Sequence, residues 1–440
     1  MSFLFRSLTV LVLTVLPLRA VAAVEIQEVT SPGGITAWLV EEHSIPFVAF
    51  DIRFKGGANL DAPDAQGAAN LMMALLEEGA GDRDTRAFAE ATETLAANFR
   101  FDAYNDSVSV SAEVLTENRD DSLALLRDAL VRPRFDTEAV ERVRDQVLAG
   151  IEQDARDPDE IASARMSRLA FPDHPYGTPL EGTTESVSAL TREDLLASHA
   201  ALLTRDRVFV GVTGDITAED LGPLLDRLLG DLPQQGAAPV GDATYALDGG
   251  ITVIDYPSPQ SVVQFGHEGI ARDDPDFFAA YVMNQILGGG GFASKLMTEV
   301  REKRGLTYGI GSYLVPRDYA AQYLGQFSSS NEKTAEAVRI VQDIWADVAE
   351  NGVGTDRLDA AKTYLTGSYP LRFDGNANIA GILVGMQLDE LGIDYIDTRN
   401  DKIMAVTDAD IKAVAARILK PDQLHFVIVG QPTGLETGGL

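Results

Sequence analysis

The sequence predicts an α+β fold made of two tandem homologous domains, each with an antiparallel-rich sheet packed by helices on one side. The main observation is an internal repeat, because residues 191–214 can be laid on residues 407–430 without a gap. Each copy begins with threonine, continues as an amphipathic helix and ends in an apolar strand. The same offset sets Ile35-Thr36 on Ile251-Thr252. A chain of 440 residues has room for two such domains of about 200 residues each.

Hydrophobic periodicity assigns the elements of the first half. The predicted strands are residues 35–40, 46–54, 99–103, 107–114 and 208–213, and the predicted helices are residues 64–76, 85–97, 118–130, 137–155, 160–169, 192–202 and 218–229. We expect the first two strands to pair with each other. The third and fourth are predicted to form a hairpin through Asn105-Asp106, because these residue types favour tight turns.

Composition indicates where the domains divide. Residues 234–242, QQGAAPVGD, are rich in Gly, Ala and Pro and interrupt the hydrophobic pattern, which is typical of a linker. We therefore predict an N-terminal domain at residues 24–233, a linker at 234–245 and a C-terminal domain at 246–440.

Residues 1–23 have the pattern of a secretory signal peptide. Arg6 supplies the positive first region, the apolar core runs from Leu8 to Leu18, and small residues around Ala22 offer a cleavage site. The apolar run is too short to span a membrane comfortably. We expect the mature chain to be soluble, exported and periplasmic.

Overall composition excludes several classes of function. The chain has 36 basic and 67 acidic residues, a net charge of −31, which argues against nucleic-acid binding. Cysteine is absent, and this rules out disulfides, thiolate metal sites and cysteine nucleophiles.

The stretch from Leu287 to Tyr308, LGGGGFASKLMTEVREKRGLTY, contains the candidate functional residues. Gly305 is predicted to end a helix and residues 306–313 to form a strand, so Arg301 falls on the last helical turn and Tyr308 just inside the strand. A guanidinium and a phenol are strong donors that suit a polarised carbonyl oxygen. The alternative is that Arg301 belongs to a solvated helix face and Tyr308 is an ordinary strand residue.

Several motifs resemble the pitrilysin/insulinase family of zinc metallopeptidases. In the first half these are residues 174–177 (HPYG), 182 (G), 190–191 (LT), 194–195 (DL) and 214–215 (GD), and in the second half residues 301–308 (REKRGLTY). The resemblance covers essentially the whole mature chain and includes the duplication.

The resemblance implies that the zinc site of the family is lost here. The family motif His-x-x-Glu-His places two imidazoles on one helix face, with a carboxylate between them that activates water. The corresponding positions in this chain are Asn70, Met73 and Ala74, and the later ligand position falls near Gly150. The five histidines (His43, His174, His199, His267 and His425) form no pair at three- or four-residue spacing. We predict that this chain holds no metal and does not hydrolyse peptides alone.

The resemblance further implies a heterodimer in which a homologous partner supplies zinc. Arg301 and Tyr308 would then hydrogen-bond the substrate carbonyl from this chain. Gly288, Gly289, Gly290 and Gly291 either bind an extended peptide through bare backbone or only form the turn before a helix. A second interpretation is a proteolytically inactive peptide-binding or assembly protein of the same fold. A third, an independent peptidase with an unrecognised metal site, is the weakest.

Overall fold

The structure, a computed structural model, describes residues 25–435, so the predicted signal peptide lies outside the described residues. The strands of the first half are β1 (Gln27–Thr30), β2 (Thr36–Glu41), β3 (Phe47–Lys55), β4 (Gly79–Ala80), β5 (Arg83–Asp84), β6 (Asn98–Ala103), β7 (Ser107–Leu115) and β8 (Val208–Gly214). Its helices are α1 (Ala68–Ala74), α2 (Thr85–Thr94), α3 (Arg119–Val131), α4 (Thr137–Asp154), α5 (Pro158–Ala170), α6 (Thr184–Ala189), α7 (Arg192–Leu202) and α8 (Ala218–Leu229).

The second half has a similar inventory. Its strands are β9 (Gly250–Asp255), β10 (Gln260–Glu268), β11 (Ile310–Pro316), β12 (Ala321–Ser330) and β13 (His425–Gly430). Its helices are α9 (Phe277–Asn284), α10 (Thr334–Asn351), α11 (Thr355–Gly367), α12 (Asn376–Leu388), α13 (Tyr395–Ala405) and α14 (Asp408–Ile418). Shorter helical turns occupy Gln285–Gly289, Met297–Glu302 and Tyr369–Arg372. Within residues 25–435, no helix is both long and apolar enough to cross a membrane.

Apart from β1, which is present only in the first, the two main sheets share one topology, and this confirms the predicted duplicated α+β fold. The first sheet has the order β1-β2-β8-β3-β7-β6 and the second has the order β11-β12-β10-β13-β9. In both, one parallel pair (β2 with β8, β9 with β13) adjoins a series of antiparallel strands. The predicted pairing of β2 with β3 is wrong, because β8 lies between them. A parallel neighbour that arrives through a long crossover leaves no trace in local sequence.

The repeat aligns best at its C-terminal end. Helix α7 and helix α14 both begin after a threonine whose hydroxyl accepts from the third residue of a reciprocal capping box (Thr191 with Asp194, Thr407 with Asp410). The predicted match of Ile35 with Ile251 is wrong by two residues. Ala37 lies opposite Val210, and Ile251 lies opposite the equivalent Phe426. The two halves therefore differ in length between these strands.

The main core of each half lies between one face of its sheet and its own helices. In the first half Leu39, Phe50 and Val110 point into this core, while Trp38 and Val40 point to the opposite face. The alternation follows from the two-residue period of a strand. Both faces of each sheet are apolar. The face that a half's own helices leave open therefore needs another element packed against it.

That second cover comes from the other half of the chain. Helix α12 packs on strands β2, β3 and β8, where Ile379, Leu383 and Met386 meet Trp38 and Val40. Helix α5 packs on β10 and β13, where Ala162 and Met166 share an apolar cluster with Val427 and Val429 of β13 and Leu324 of the neighbouring β12. We call α5 and α12 the exchanged helices. The predicted helices on one side of each sheet are present, and the exchanged helices cover the other side.

The tips of two equivalent hairpins meet between the halves. The Asp106 carboxylate accepts from the Tyr176 hydroxyl at 2.6 Å and from the Asp318 amide at 3.4 Å. The Tyr319 amide donates to the Tyr176 oxygen at 3.2 Å, and the Arg317 guanidinium lies 4.8 Å from the centre of that ring. Residues 234–248, which include the predicted linker, form neither helix nor strand. The division into domains at these residues stays a prediction.

Candidate functional site

Helix α1 occupies the place where the resemblance puts the zinc motif. Met73 is 1% exposed in the main core, whereas Asn70 and Ala74 are partly exposed on the same short helix. Gly67 is the residue directly before the helix, and its φ of 90° suits a residue without Cβ. The Asp61 carboxylate accepts from the Gly67 amide at 2.9 Å and the Ala69 amide at 3.0 Å, which holds the start of the helix.

These positions do not fit a zinc ion. Helix α4 packs against α1, but Gly150 on α4 is exposed and brings no ligand. Nearby Glu152 forms an exposed ion pair with Arg156 instead. Amide, thioether and methyl groups at Asn70, Met73 and Ala74 are poor zinc ligands. Within residues 25–435, no group of three or more His, Cys, Asp or Glu side chains is arranged to hold a metal ion.

His174 has a structural role in the loop of residues 174–177. Its Nδ1 accepts from the Tyr176 amide at 3.2 Å, and its Nε2 lies 3.2 Å from the Gly241 carbonyl oxygen. The ring packs edge-on against Tyr176 at 4.4 Å between centroids. Burial lowers the pKa of His174, which favours the neutral ring that these contacts need.

Tyr308 lines a cavity of about 700 Å³ that extends along strand β11. It is 88% exposed and shares the cavity wall with Gly288, Gly289 and Gln326 from its own half. Asp159, at the start of the exchanged helix α5, contributes from the other half. Burial raises the pKa of the Asp159 carboxyl, with the Asp157 charge adding to the effect. The cavity is therefore walled by both halves, and we call it the inter-half cavity.

The prediction that Tyr308 lies inside a strand is wrong. Strand β11 begins only at Ile310. The Thr307 hydroxyl lies 2.7 Å from the Ser328 carbonyl oxygen and 2.8 Å from that of Gly309, and these contacts hold the chain in a loop. The alternation of residues 306–313 could not reveal these hydrogen bonds, because they depend on strand β12. As a result the phenol projects from a loop rather than standing on the sheet.

Arg301 lies in the helical turn Met297–Glu302, as predicted, and Gly305 ends that segment with a φ of 60°. Its guanidinium lies 4.7 Å from the centre of the Phe292 ring, which is 65% exposed. Arg301 does not line the inter-half cavity. In the same charged run, Lys303 and Arg304 pair with Glu299 at 2.7 and 2.9 Å. Arg301 differs from its neighbours because it contacts an exposed ring instead of a carboxylate.

Within the glycine run, Gly288 is needed for close packing against strand β11. A Cβ there would come within 2.2 Å of the Ser312 hydroxyl oxygen and 2.5 Å of the Ser312 amide nitrogen. Only glycine lets the turn after α9 lie against β11 this closely. Gly289 also lines the inter-half cavity, whereas Gly290 and Gly291 do not. Peptide binding by the run stays a prediction.

Sequence reasoning missed the cavity wall contributed by distant segments. Asp159, Gln326 and Arg372 come from three elements that are far apart in sequence. Only the exchange of helices brings Asp159 to this place. No local motif surrounds any of the three, so the sequence held no signal for them.

Two protein-family models match the chain. The model described as Insulinase (Peptidase family M16) matches residues 37–184, and the model described as Peptidase M16 inactive domain matches residues 189–365. A solved structure of a peptidase M16 inactive domain from Pseudomonas fluorescens is 30% identical, with a TM-score of 0.88 over 94% of this chain and 100% of that one. A protease from Helicobacter pylori shares the fold, with a TM-score of 0.84 at 16% identity over 92% and 100%.

The curated relatives include a protein named as a non-peptidase and proteins named as zinc proteases. The non-peptidase homolog YmxG of Helicobacter pylori is 28% identical over 336 residues, which is 76% of this chain and 77% of that protein. An uncharacterized zinc protease of Mycobacterium leprae is 26% identical over 414 residues, 91% of each.

A duplicated α+β fold without zinc ligands at the motif positions defines a non-catalytic relative of the metallopeptidases. The chain belongs to peptidase family M16, the insulinase or pitrilysin family, as an inactive member. The family predicted from the sequence motifs is thereby confirmed.

Proposed function

We propose that this chain is the non-catalytic subunit of a periplasmic heterodimeric zinc metallopeptidase. A homologous zinc-bearing chain would be its partner, and an unstructured peptide would lie between the two. The observation that supports this most is the exposed Tyr308 phenol on the wall of the inter-half cavity, in a chain whose own zinc positions hold Asn70, Met73 and Ala74.

Arg301 and Tyr308 have donors available for a substrate. Within residues 25–435, neither side chain donates a hydrogen bond to the protein, and the Arg301 guanidinium lies over the exposed Phe292 ring. Donors aimed at a carbonyl oxygen stabilise the negative charge that develops on it during hydrolysis. Removing one such donor costs on the order of 100-fold or more in kcat.

Strand β11 offers a means of binding extended peptide. It is the edge strand of its sheet, and residues 309–313 line the inter-half cavity. An edge strand presents unpaired backbone donors and acceptors to which a peptide can add as a further strand. A peptide bound there would pass beside Tyr308.

The test is to mix the purified chain with a zinc-bearing homologue and to assay cleavage of unstructured peptides. Arg301→Ala and Tyr308→Phe are expected to lower kcat about 100-fold each. Arg304→Ala and Tyr364→Phe are the matched controls, because Arg304 pairs with Glu299 and Tyr364 is exposed elsewhere. The controls should keep full activity. Equal activity of the wild-type and Arg301→Ala mixtures would remove Arg301 from the proposal.

The alternative is a proteolytically inactive peptide-binding or assembly protein. It rests on the same cavity, since peptide binding along β11 needs no metal. A neighbouring reading frame that encodes His-x-x-Glu-His would favour the peptidase subunit. Peptide binding without cleavage in the presence of any zinc-bearing homologue would favour the alternative. Cell fractionation would test the periplasmic location.

A further inference from the structure

A second cavity, of about 440 Å³, lies inside the second half between α9, α12 and α13. Most of its wall is aromatic or aliphatic, including Phe277, Tyr281, Tyr369 and Met386. Three arginines, Arg272, Arg372 and Arg399, also line it, and we call it the arginine cavity. Cavities of this size with an apolar wall and a few polar groups are typical of small-ligand sites.

The positive charge in this cavity is only partly neutralised. Arg272 pairs with Asp389 at 3.0 Å and donates to the Tyr395 hydroxyl at 3.2 Å. No carboxylate among residues 25–435 lies within 4.0 Å of the guanidinium of Arg372 or Arg399. With Asp389 the only acidic group in the wall, the lining residues carry three positive charges and one negative, a net +2. The chain as a whole carries −31, so the cavity is a local exception.

Arg399 is the more informative of the two unpaired arginines, because it is only 5% exposed. Its Nη1 donates to the Leu365 carbonyl at 3.3 Å and to the Asn400 side chain at 3.1 Å. The guanidinium lies 4.1 Å from the centre of the Tyr369 ring and 5.8 Å from that of Tyr281. Neutral acceptors and ring faces hold the group in place but do not cancel its charge. Buried charges in proteins are usually paired with an opposite charge.

We propose that the arginine cavity binds a carboxylate carried on an aromatic or aliphatic group, with Arg399 and Arg372 as its cationic partners. Arginine forks match carboxylate geometry, and the aromatic wall suits the apolar remainder of such a ligand. Phosphate is a poorer fit, because a compact dianion would leave the apolar wall in contact with water.

The arginine cavity adjoins the inter-half cavity. Tyr281, Asn284, Tyr313 and Arg372 line both. The ligand is therefore either a free organic acid or the carboxylate of a peptide whose chain lies in the inter-half cavity. The second case deepens the proposed function, whereas the first does not depend on it.

The test is calorimetric titration of the full chain with N-acetyl-L-phenylalanine and with its amide, which differ only in the carboxylate. We expect the acid to bind at least about tenfold more tightly, because charge-assisted hydrogen bonds are lost with the amide. A seven-residue peptide ending in phenylalanine, as free acid and as amide, forms the second arm. Discrimination in the peptide pair alone would assign the site to peptides. A difference in affinity only between N-acetyl-L-phenylalanine and its amide would assign the site to free acids.

Variants show whether binding occurs in this cavity. Arg399→Lys keeps the charge but loses the forked guanidinium, and Arg372→Gln removes an exposed charge. Each variant should bind the acid at least about fivefold more weakly than the wild type. Gly385→Leu should place a side chain in the cavity, since Gly385 lines it and an added Cβ there meets nothing within 4 Å. Gly367→Leu is the matched control, because that Cβ is equally free but lies outside the cavity.

The proposal is overturned if acid and amide bind equally in both arms or if neither binds at millimolar concentration. It is also overturned if Gly385→Leu, with an unchanged melting temperature, binds the acid as wild type does. Loss of peptidase activity in Tyr308→Phe has no bearing on these titrations, so failure of the two proposals can be told apart.

Discussion

The exchanged helices α12 and α5 make equivalent contacts, but they approach their sheets differently. Helix α12 crosses β8 at Gly211, where an added Cβ would lie 2.3 Å from the Ala380 carbonyl oxygen. The repeat puts Val427 at the corresponding position of β13, and α5 packs on its side chain. One contact is made by backbone and the other by side chains. The difference shows that the fold requires a helix on this face but does not fix how closely it approaches.

The close contact of α12 is reinforced by polar groups. The Gln387 side chain donates to the Val210 carbonyl at 3.0 Å. On the other sheet, the corresponding polar link is the Tyr256 hydroxyl, which donates to the Arg156 carbonyl just before α5 at 2.6 Å. Apolar burial ties both exchanged helices to the opposite half, and a hydrogen bond adds to it, from α12 itself in one case and from the turn before α5 in the other.

The largest expected effect is on the halves as separate chains. Residues 25–233 alone would leave Trp38 and Val40 uncovered and α5 without its sheet, and residues 246–435 alone would have the converse defects. Because a domain keeps only about 5–15 kcal/mol of net stability, losing one cover is expected to abolish cooperative folding. Thermal unfolding followed by circular dichroism would test each half.

Co-expression of the two halves is the matching control, since each then supplies the helix that the other lacks. We expect the pair to co-purify and to unfold in one transition. A single half that melts cooperatively on its own would contradict this account of the exchanged helices.

A smaller effect distinguishes the two contacts. Gly211→Val should destabilise the chain by about 3 kcal/mol or more, because the obstructing atom is a backbone carbonyl that cannot rotate away. Val427→Ala should cost only about 2 kcal/mol, through loss of apolar burial against α5. Urea unfolding would measure both changes. Equal costs would mean that the two contacts have the same character after all.

The smallest expected effect comes from a difference at the N-terminal ends of α1 and α9, which are equivalent helices of the two halves. Asp61 holds the start of α1 with its carboxylate, whereas Asp276 before α9 makes no such hydrogen bond. Burial raises the pKa of Asp61 to about 7, although the amide hydrogen bonds oppose the shift. The folded state thus binds a proton that the unfolded state has released between pH 3.8 and about 7. Its contribution to stability is present below that window and lost as pH rises through it.

Asp61→Asn should therefore flatten the pH dependence of the free energy of unfolding. Relative to this variant, the wild type should lose on the order of 2–4 kcal/mol between pH 4 and pH 7. Asp64→Asn, at an exposed position of the same loop, is the control and should keep the wild-type profile. A wild-type and an Asp61→Asn profile that run parallel would contradict the assignment.

Local signals in the sequence were sufficient for elements with their own caps and turns. Helices α7 and α8 have the predicted bounds because Thr191 and Thr217 cap them, and the β6–β7 hairpin follows from its polar turn. The order of β2, β8 and β3 was not predictable, since it depends on partners some 170 residues apart. The predicted start of β11 was wrong for the same reason, because a contact with Ser328 on another strand holds Thr307 out of the sheet.

The site was predicted only where it coincides with a motif. Matching the chain to the family motifs predicted that Asn70, Met73 and Ala74 replace zinc ligands and that Tyr308 is a candidate hydrogen-bond donor. Whether Arg301 and Tyr308 act together stays a prediction. The sequence contained no sign that Arg301 would rest on Phe292, or that Arg399 would be buried beside Tyr369, because both contacts are made through packing.

The exchanged helices also bear on how each half completes its core. Pro158 and Asn376 lie 218 residues apart, within two residues of the 216-residue offset of the repeat, so α5 and α12 occupy corresponding places in the two halves. Since that helix covers the sheet of the other half, a half-length chain with the same arrangement would complete its core by pairing as a two-fold symmetric homodimer with swapped arms. In this chain both sheets and both exchanged helices belong to one polypeptide, so each half always has the helix that covers its sheet within reach.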